Sequence, residues 1–490
     1  MMKADRIKIV FKHLSAFLLL GACLLWGLQS PVQAEDSHTP LEPIDCPGER
    51  IEGEHAACFI LHVPADWNDI SNRTMELPVM RFAPLGAAAT KPPLLVLAGG
   101  PGQSAIFLEK QLSSNLKAFR QDRELILMDQ RGTGPLADQL RCKDALRDEQ
   151  QILIPELAAC VKQAELDGHL RSDYSTAFAV QDYRALRYAL KIDKWAILAT
   201  SYGARVAQGL IDKDEKGIDR ILFNGPLFVG TVFLDWNPYS RVEAALDLCN
   251  EQDGCRTHFP NLYWDMERIP FAIHNVKLPQ DDPLPASIHA NLYRKRLQAL
   301  LARHRVGEVP SDIEKTLASL DEAQEKDAVW TPPSPLPQNM KGIGLMVHFS
   351  ILCAEEIDRL ADQAPQDLAQ PLRVLFYRAA CKELDAVSDH GISLAKNWDK
   401  AKPTKKPILI FNGALDTIVN PDAVKKTEAL YANASRFTVP YAGHDILSRV
   451  PCAREMMAQF LDGTKPSDVK DLCTTRPPIA FEGPTAPASN

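Results

Sequence analysis

Short, wholly apolar runs recur along the chain, separated by amphipathic or polar stretches. Residues 94–97 (Leu-Leu-Val-Leu) and 125–128 (Leu-Ile-Leu-Met) are the clearest of them. Continuous apolar runs of this length are typical of strands buried on both faces of a parallel sheet. The same pattern predicts further strands at residues 195–198, 221–223 and 407–411, and a last strand is predicted at 436–439, Arg-Phe-Thr-Val. Two earlier runs, 57–63 and 75–82, predict an antiparallel pair that opens the fold.

A helical spacing of apolar residues lies between the second and third of these strands. Val180, Tyr183, Leu186 and Leu190 fall on one face of a helix predicted over 176–190. Strands that alternate with helices indicate an α/β fold, with a mostly parallel central sheet covered by helices on both faces.

The strand–helix alternation stops between about residues 227 and 406. The runs 297–301, 313–323 and 345–357 have helical patterns, and proline-rich stretches such as 331–335 separate them. We therefore predict a helical cap, 228–405, inserted between two parts of the core, 35–227 and 406–476. Residues 477–490 are rich in Pro, Ala and Ser, which predicts a disordered tail.

The N-terminus has the features of a signal peptide, predicted over residues 1–34. A basic start is followed by an almost wholly apolar run, 14–28, and by the small residues of the 32–34 segment, Val-Gln-Ala. The run is short for a membrane span. Two alternatives stay open: lipid attachment at Cys23, disfavoured because apolar residues follow it, and an uncleaved anchor, which needs a longer run.

The cysteines fit an exported chain. Of the 11 cysteines, one (Cys23) lies in the leader, which leaves ten, an even number. They fall in close sequential pairs that predict disulfides in an oxidising compartment, periplasmic or extracellular. The pairs are Cys46/Cys58, Cys142/Cys160, Cys249/Cys255, Cys353/Cys381 and Cys452/Cys473. Sequence alone does not fix the connectivity, and buried free thiols are the alternative.

Charge and composition exclude several classes of partner. The 490 residues are 46% hydrophobic and 24% charged, with a formal net charge of −8, and contain no basic run. This balance argues against a nucleic-acid or anionic-lipid partner. The chain has neither a CxxC pair nor an HExxH motif. We predict that the chain binds neither a metal nor a cofactor.

The strongest chemical signal is a serine directly after the predicted strand 195–198. Ser201 stands between the small residues Ala199 and Gly203, and an apolar-periodic helix follows. A sharp strand-to-helix turn exposes a serine hydroxyl and directs free N–H groups at a developing oxyanion. An ordinary turn that happens to contain a serine is the alternative.

A second signal is the glycine-rich turn 98–104, Ala-Gly-Gly-Pro-Gly-Gln-Ser, which also follows a strand. Glycines there let backbone N–H groups approach a ligand, as the second arm of an oxyanion hole requires. A plain turn is the alternative, and the pattern of a phosphate loop, GxxxxGK followed by Ser or Thr, is absent.

Two more polar residues follow late strands: Asp416 and His444. A serine hydroxyl needs an imidazole to take its proton, and the imidazole needs a carboxylate to fix its tautomer. The chain order Ser201, Asp416, His444 is that of the α/β-hydrolase fold. We therefore predict these three as a catalytic triad.

Together the motifs resemble the proline iminopeptidase and secreted tripeptidyl aminopeptidase-like branch of the α/β-hydrolases, over about residues 46–473. The motifs that carry the resemblance are Gly-Gly-Pro-Gly at 99–102, Asp-Gln-Arg-Gly-Thr-Gly at 129–134, Ser-Tyr-Gly at 201–203, Gly-His at 443–444 and the final cysteine pair. The resemblance implies a serine hydrolase that removes residues from a free peptide N-terminus.

The resemblance also implies roles for single residues. The N–H groups of Gly100 and Tyr202 form the oxyanion hole. Asp129 and Arg131 brace the neighbouring loop. An acid of the cap meets the amino group of the substrate, with Glu355 the first candidate and Glu356 beside it; two solvated helical glutamates are the alternative.

Two other functions stay open. An exported carboxylesterase uses the same scaffold, because a fold does not determine its substrate. It would be favoured by an apolar cap pocket, and the aminopeptidase by an acid facing Ser201. A binding protein with a decayed site is disfavoured by the presence of Ser201, Asp416 and His444.

Overall fold

The structure is a computed structural model that describes most of the chain from residue 40 onward. The described residues are 40–46, 55–108, 114–147, 151–231, 239–280, 285–303, 305–333, 342–357, 369–393, 400–473 and 480–481. The predicted leader, 1–34, and nearly all of the predicted tail, 477–490, lie outside them. The described residues all belong to one compact unit.

A nine-stranded sheet in the order β1-β2-β3-β5-β4-β8-β9-β10-β11 forms the centre of the molecule. Its strands are β1 (Leu41–Ile44), β2 (Ala56–Asp66), β3 (Asp69–Phe82), β4 (Leu94–Leu97), β5 (Leu125–Met128), β8 (Trp195–Thr200), β9 (Ile218–Asn224), β10 (Ile408–Gly413) and β11 (Ala434–Val439). A separate antiparallel pair is formed by β6 (Leu146–Arg147) and β7 (Gln151–Ile152).

The sheet has an antiparallel end and a parallel body. Strands β1, β2 and β3 pair antiparallel, and β3 joins β5 in the same sense. From β5 onward every neighbouring pair is parallel. This confirms the predicted α/β class with a mostly parallel sheet, including the opening antiparallel pair.

Both faces of the sheet are buried, as the continuous apolar runs predict. In β8, Ile197 and Ala199 belong to one hydrophobic cluster, while Ala196 and Leu198 belong to the cluster on the opposite face. This follows from the alternation of side chains along a strand. An apolar residue at every position therefore indicates a strand covered on two sides.

Helices cover these two faces. The helices of the core are α1 (Ile154–Leu166), α2 (Thr176–Ala189), α3 (Gly203–Asp214), α11 (Val424–Glu428), α12 (Ile446–Arg449) and α13 (Pro451–Leu461). Helices α1, α2 and α3 pack on one face, and α12 and α13 on the other.

The segment predicted as a cap holds seven helices within its described parts. They are α4 (Tyr239–Asn250), α5 (Asp253–His258), α6 (Leu262–His274), α7 (Ala286–Ala302), α8 (Val309–Glu325), α9 (Leu345–Glu355) and α10 (Ala369–Val387). Helices α4 to α8 share a hydrophobic cluster of their own. Helices α9 and α10 instead join the main core beside α1. The segment 228–405 is thus divided between two packing groups.

Five disulfides join the ten cysteines of the described chain. They are Cys46–Cys58, Cys142–Cys160, Cys249–Cys255, Cys353–Cys381 and Cys452–Cys473, the sequential pairs named above. Among the helices of the described residues, none is both long and apolar enough to span a bilayer.

Candidate active site

The site lies where the parallel strands end. The loops after β4, β8, β9, β10 and β11 all leave the same edge of the sheet, because parallel strands have their carboxyl ends together. The glycine turn, Ser201, Asp416 and His444 each lie in one of these loops. Residues far apart in the chain are thereby collected at one edge.

Ser201 occupies the turn between β8 and α3 in a left-handed conformation, with φ 53°. A non-glycine residue with positive φ is held there only by its surroundings. The Ser201 N–H donates to the Asn224 carbonyl at 3.0 Å, and the Ser201 carbonyl accepts from Leu227 N–H at 3.0 Å. The serine is 8% exposed, so its hydroxyl lies at the floor of the site.

The glycine turn lies directly against this serine. A Cβ added at Gly99 would be 3.1 Å from the Ser201 Cβ, so the two backbones approach closely. Gly100 has φ +104°, and a Cβ there would be 2.7 Å from the Gly102 nitrogen, which requires glycine. In the described part of the chain, neither the Gly100 nor the Tyr202 N–H has an intramolecular acceptor. Both donors are therefore free for a ligand oxygen.

Asp416 and His444 are hydrogen-bonded. His444 Nδ1–H donates to Asp416 Oδ2 at 2.8 Å, which leaves Nε2 as the acceptor nitrogen. The other oxygen, Oδ1, accepts the N–H groups of Ile418 at 2.8 Å and Val419 at 3.0 Å. Asp416 is fully buried. The His444, Ile418 and Val419 donors together hold its carboxylate in place.

The environment raises the pKa of His444. Burial alone lowers it, because a charged imidazole is poorly solvated there. The charge and the hydrogen bond of Asp416, with a smaller contribution from Asp445, outweigh burial and raise the pKa above 6.5. Asp416 therefore stabilises the imidazolium that forms when His444 accepts a proton.

Asn224 and Gly225 connect the serine and histidine loops. Asn224 Oδ1 accepts from Leu447 N–H at 3.2 Å, while its own carbonyl holds Ser201 N–H. A Cβ added at Gly225 would lie 3.1 Å from His444 Nδ1, so the imidazole packs on a residue without a side chain. The Ser201 hydroxyl itself makes no hydrogen bond within the described residues.

The cap reaches the same loops through α7. Thr417, next to Asp416, donates its hydroxyl to the Gln298 carbonyl of α7 at 2.9 Å. Gly443, next to His444, packs so closely on the Leu301 carbonyl that a Cβ would lie 2.1 Å from it. The cap thus covers the acid and histidine loops.

Glu355 and Glu356 lie in the interior, at the end of α9. Arg205 of α3 pairs with both: Nη1 donates to Glu355 Oε2 at 3.1 Å and Nη2 to Glu356 Oε1 at 2.5 Å. Thr176 donates its hydroxyl to Glu355 Oε1 at 2.5 Å. Burial raises the pKa of Glu355 to about 7 although Arg205 and Thr176 lower it. Neither carboxylate reaches the surface.

Arg131 is buried in a dense set of hydrogen bonds. Its guanidinium forms two bonds with Asp182, at 2.6 and 2.7 Å, and donates to the carbonyls of Ala65 and Asp173 at 2.7 Å each. These contacts tie the loop after β5 to β2 and α2.

Asp129, also after β5, supports the glycine turn. Its Oδ1 accepts from the Ser104 hydroxyl at 2.7 Å and from Ile106 N–H at 3.0 Å. Its Oδ2 is buried against Gly134 without a hydrogen-bond partner in the described chain. Burial raises the pKa of Asp129 to about 6, although the bonds to Ile106 and Ser104 lower it.

The raised pKa predicts how stability changes with pH. Folded Asp129 keeps its proton up to about pH 6, whereas an unfolded aspartate releases it near 3.8. The contribution of protonated Asp129 to the free energy of unfolding is therefore fully present below pH 3.8 and is lost as pH rises through 6. The asparagine of the Asp129→Asn variant does not titrate. The free energy of unfolding of the variant, relative to that of the wild type, should therefore rise by about 3 kcal/mol between pH 4 and 7.5. Denaturant unfolding at several pH values measures the difference; a difference independent of pH would contradict it.

The described residues contain no group of three or more His, Cys, Asp or Glu side chains placed to hold a metal ion. The polar groups of the candidate site are the His444 imidazole, the Asp416 carboxylate, the Ser201 hydroxyl and free backbone N–H groups. Such a set can activate a hydroxyl and stabilise an oxyanion.

Comparison with known proteins yields two family matches. Residues 92–257 match the family model described as alpha/beta hydrolase fold, and residues 378–472 match that of the TAP-like protein family. The first spans the glycine turn and Ser201, and the second spans Asp416 and His444. Among curated proteins, no sequence matches the chain significantly.

Solved structures that resemble the chain share little sequence with it. The proline iminopeptidase of Mycobacterium smegmatis has 16% identity and a TM-score of 0.38, over 82% of this chain and 97% of its own. A proline iminopeptidase-related protein from Thermus thermophilus has 17% and 0.36, over 83% and 98%. An esterase from Exiguobacterium antarcticum has 10% and 0.35, over 79% and 96%.

Proposed function

We propose that this chain, whose residues 92–257 match the alpha/beta hydrolase fold model and whose residues 378–472 match the TAP-like model, is an exported serine aminopeptidase. The observation that carries the hydrolase chemistry is the 2.8 Å hydrogen bond from His444 to Asp416, at the sheet edge that presents Ser201. A buried carboxylate bonded to a histidine beside a strained serine turn is the arrangement of acyl-transfer enzymes.

The proposed reaction proceeds through an acyl-enzyme. Substrate binding brings Ser201 within reach of His444 Nε2, and such contacts commonly tighten only in the complex. Ser201 attacks the scissile carbonyl, His444 takes its proton and passes it to the leaving amine. The Gly100 and Tyr202 N–H groups stabilise the oxyanion. Water then releases the acyl group by the same route.

The peptide part of the proposal rests on the TAP-like match and on the motifs that resemble aminopeptidases. In the resemblance, a cap acid receives the substrate's amino group. Glu355 and Glu356 are both buried against Arg205, so either would reach a substrate only if that contact opened. Amino-group binding by these two residues stays a prediction.

The same observation favours a second candidate function, an exported carboxylesterase. With both glutamates paired to one arginine, the acids predicted to recognise an amino group are already neutralised in part. An ester substrate needs no such recognition. Export is supported in both cases by the five disulfides, which persist in oxidising compartments.

One assay separates the two functions. A chromogenic peptide anilide is offered with a free and with a blocked N-terminus, beside p-nitrophenyl acetate, with Ser201→Ala as the blank. We expect cleavage of the free-amine anilide and a rate lower by about 10²-fold or more for the blocked form, since a binding site built for a polar group rejects an analogue lacking it. Cleavage of the ester alone would replace the aminopeptidase by the esterase.

A further inference from the structure

Helix α9 contacts both arms of the proposed oxyanion hole. The helix runs from Leu345 to Glu355, 11 residues, or about 16 Å. Its N-terminal end meets the glycine turn that carries Gly100, and its C-terminal end meets the network around Tyr202. The sequence predicts a place for this helix in the cap, but it packs in the core beneath the site.

The contacts at the N-terminal end are hydrogen bonds to the turn's own backbone. Gly344 N–H donates to the Gly102 carbonyl at 2.8 Å. His348 Nδ1–H donates to the Pro101 carbonyl at 2.9 Å, and its Nε2 accepts from the Tyr377 hydroxyl at 3.1 Å. A carbonyl can only accept, so this pair of contacts fixes the histidine tautomer. His348 thereby anchors the residue after Gly100.

The contacts at the C-terminal end form a directed chain of hydroxyl groups. When Glu355 is ionised, Thr176 gives its one hydroxyl proton to the carboxylate at 2.5 Å, because a carboxylate can only accept. The Tyr202 hydroxyl, 2.6 Å from the Thr176 oxygen, is therefore the donor to it. Tyr202 is the residue after the serine, and its side chain is fully buried. The chain thus fixes the side chain whose backbone N–H forms the second arm.

The helix is well suited to hold both contacts in register. Nearly all its residues are buried, and the Cys353–Cys381 disulfide joins it to α10. Glu355 is held in addition by Arg205, on the helix that follows the serine. Because α9 is buried and cross-linked, it moves as one rigid body. The glycine turn and Tyr202 are therefore both held against the same rigid element.

We propose that α9 positions both arms of the oxyanion hole, His348 holding the Gly100 arm and Glu355, through Thr176, holding the Tyr202 arm. The inference rests on the proposed serine-hydrolase chemistry but not on peptide specificity. Oxyanion donors act mainly in the transition state, and their value depends on their being in place beforehand. Loosening either arm should therefore lower kcat more than it changes KM.

The test uses the full chain and p-nitrophenyl acetate, which needs the nucleophile and the oxyanion hole but no amino-group recognition. Thr176→Val and Tyr202→Phe each break the hydroxyl chain, and His348→Phe removes the donor to Pro101. Each is expected to lower kcat by about 10- to 10²-fold, less than the loss of a whole donor, with KM within about 3-fold. His348→Asn, which keeps an N–H near the Nδ1 position, should recover most of the rate.

Combined variants sharpen the outcome. Thr176→Val with Tyr202→Phe should cost no more than the worse single change, because both act on one chain, whereas Thr176→Val with His348→Phe should multiply. The control is Ser350→Ala, in α9 itself, whose hydroxyl bonds, among the described residues, only to the helix's own Met346 carbonyl at 2.7 Å. Its kcat should stay within about 2-fold of the wild type.

The two proposals fail in different ways. A normal ester rate in folded Ser201→Ala overturns the serine-hydrolase chemistry. An inactive Ser201→Ala together with kcat unchanged in the Thr176, Tyr202 and His348 variants overturns the role of α9 alone. A rate that falls equally in Ser350→Ala, or a loss that appears in KM, also overturns it. If Thr176→Val does not fold, Tyr202→Phe tests the same chain by removing one oxygen.

Discussion

Ser201→Ala should lower kcat by about 10³-fold or more, on whichever substrate the enzyme hydrolyses fastest. The serine is the nucleophile of the proposed mechanism, and the turn places residue 201, with φ 53°, above the sheet edge. The hydroxyl of its neighbour Tyr202 is instead buried against Thr176. The histidine and the oxyanion N–H groups remain, so a small residual rate over water is expected. The measurement is steady-state hydrolysis of the chromogenic anilide and of p-nitrophenyl acetate.

Folding should be unaffected by this change. The Ser201 hydroxyl has no hydrogen-bond partner in the described residues, and its turn is held by the backbone bonds to Asn224 and Leu227. The melting temperature and the near-ultraviolet circular dichroism should therefore match those of the wild type. A matched control is Ser104→Ala in the glycine turn, which removes a hydroxyl bonded to Asp129 and should cost stability more than rate. A folded Ser201→Ala variant that keeps its rate would refute the assignment of the nucleophile.

The strand pattern could be predicted from sequence because its signal is local. A strand buried on both faces has an apolar residue at every position, as β4 and β5 do. In β8 and β10 the apolar run stops only at the carboxyl end, at Thr200 and at Asn412. The residues that follow such strands meet at one edge by geometry alone. That is why Ser201, Asp416 and His444 can be predicted from sequence to share one edge, where Asp416 and His444 are found hydrogen-bonded. Their catalytic roles stay predictions.

The packing of α9 could not be predicted in this way. Its sequence is apolar nearly all round, which indicates burial but does not tell which core buries it. The sequence places α9 among the helices between β9 and β10, and so with the cap. Only the structure shows that it lies in the main core, with Glu355 against Arg205. The acid expected to face a substrate therefore faces an arginine.

Asn224 and Gly225 were missed for a different reason. Asn224 ends β9 just as the other site residues follow their strands, so a signal was present in the Asn-Gly-Pro of 224–226. An amide has no acid–base chemistry and so does not suggest catalysis. Its role is structural: its backbone holds Ser201 and its side chain holds the histidine loop at Leu447. Such bridging roles depend on contacts that no local pattern encodes.

Asp416→Asn should lower kcat by about 10⁴-fold while leaving the fold intact. The asparagine can still accept the N–H groups of Ile418 and Val419, which hold the present carboxylate. Its amide can also donate to His444 Nδ1. That contact would put the imidazole proton on Nε2. A protonated Nε2 could no longer accept the proton of Ser201. Geometry is kept, and the wrong tautomer is favoured.

The pH profile provides an independent readout of the same change. The charge of Asp416 outweighs burial and raises the pKa of His444, so wild-type kcat/KM should fall as pH drops through a value above 6.5. In Asp416→Asn burial is no longer opposed by that charge, so the acid limb of the residual activity should move to lower pH. The matched control is Asp445→Asn, which keeps the acceptor for Ser448 N–H and removes only the smaller charge contribution. Asp445→Asn should keep kcat/KM within about 10-fold of the wild type and shift the acid limb less than Asp416→Asn does. A larger effect at Asp445 than at Asp416 would show that Asp445, and not Asp416, orients the histidine.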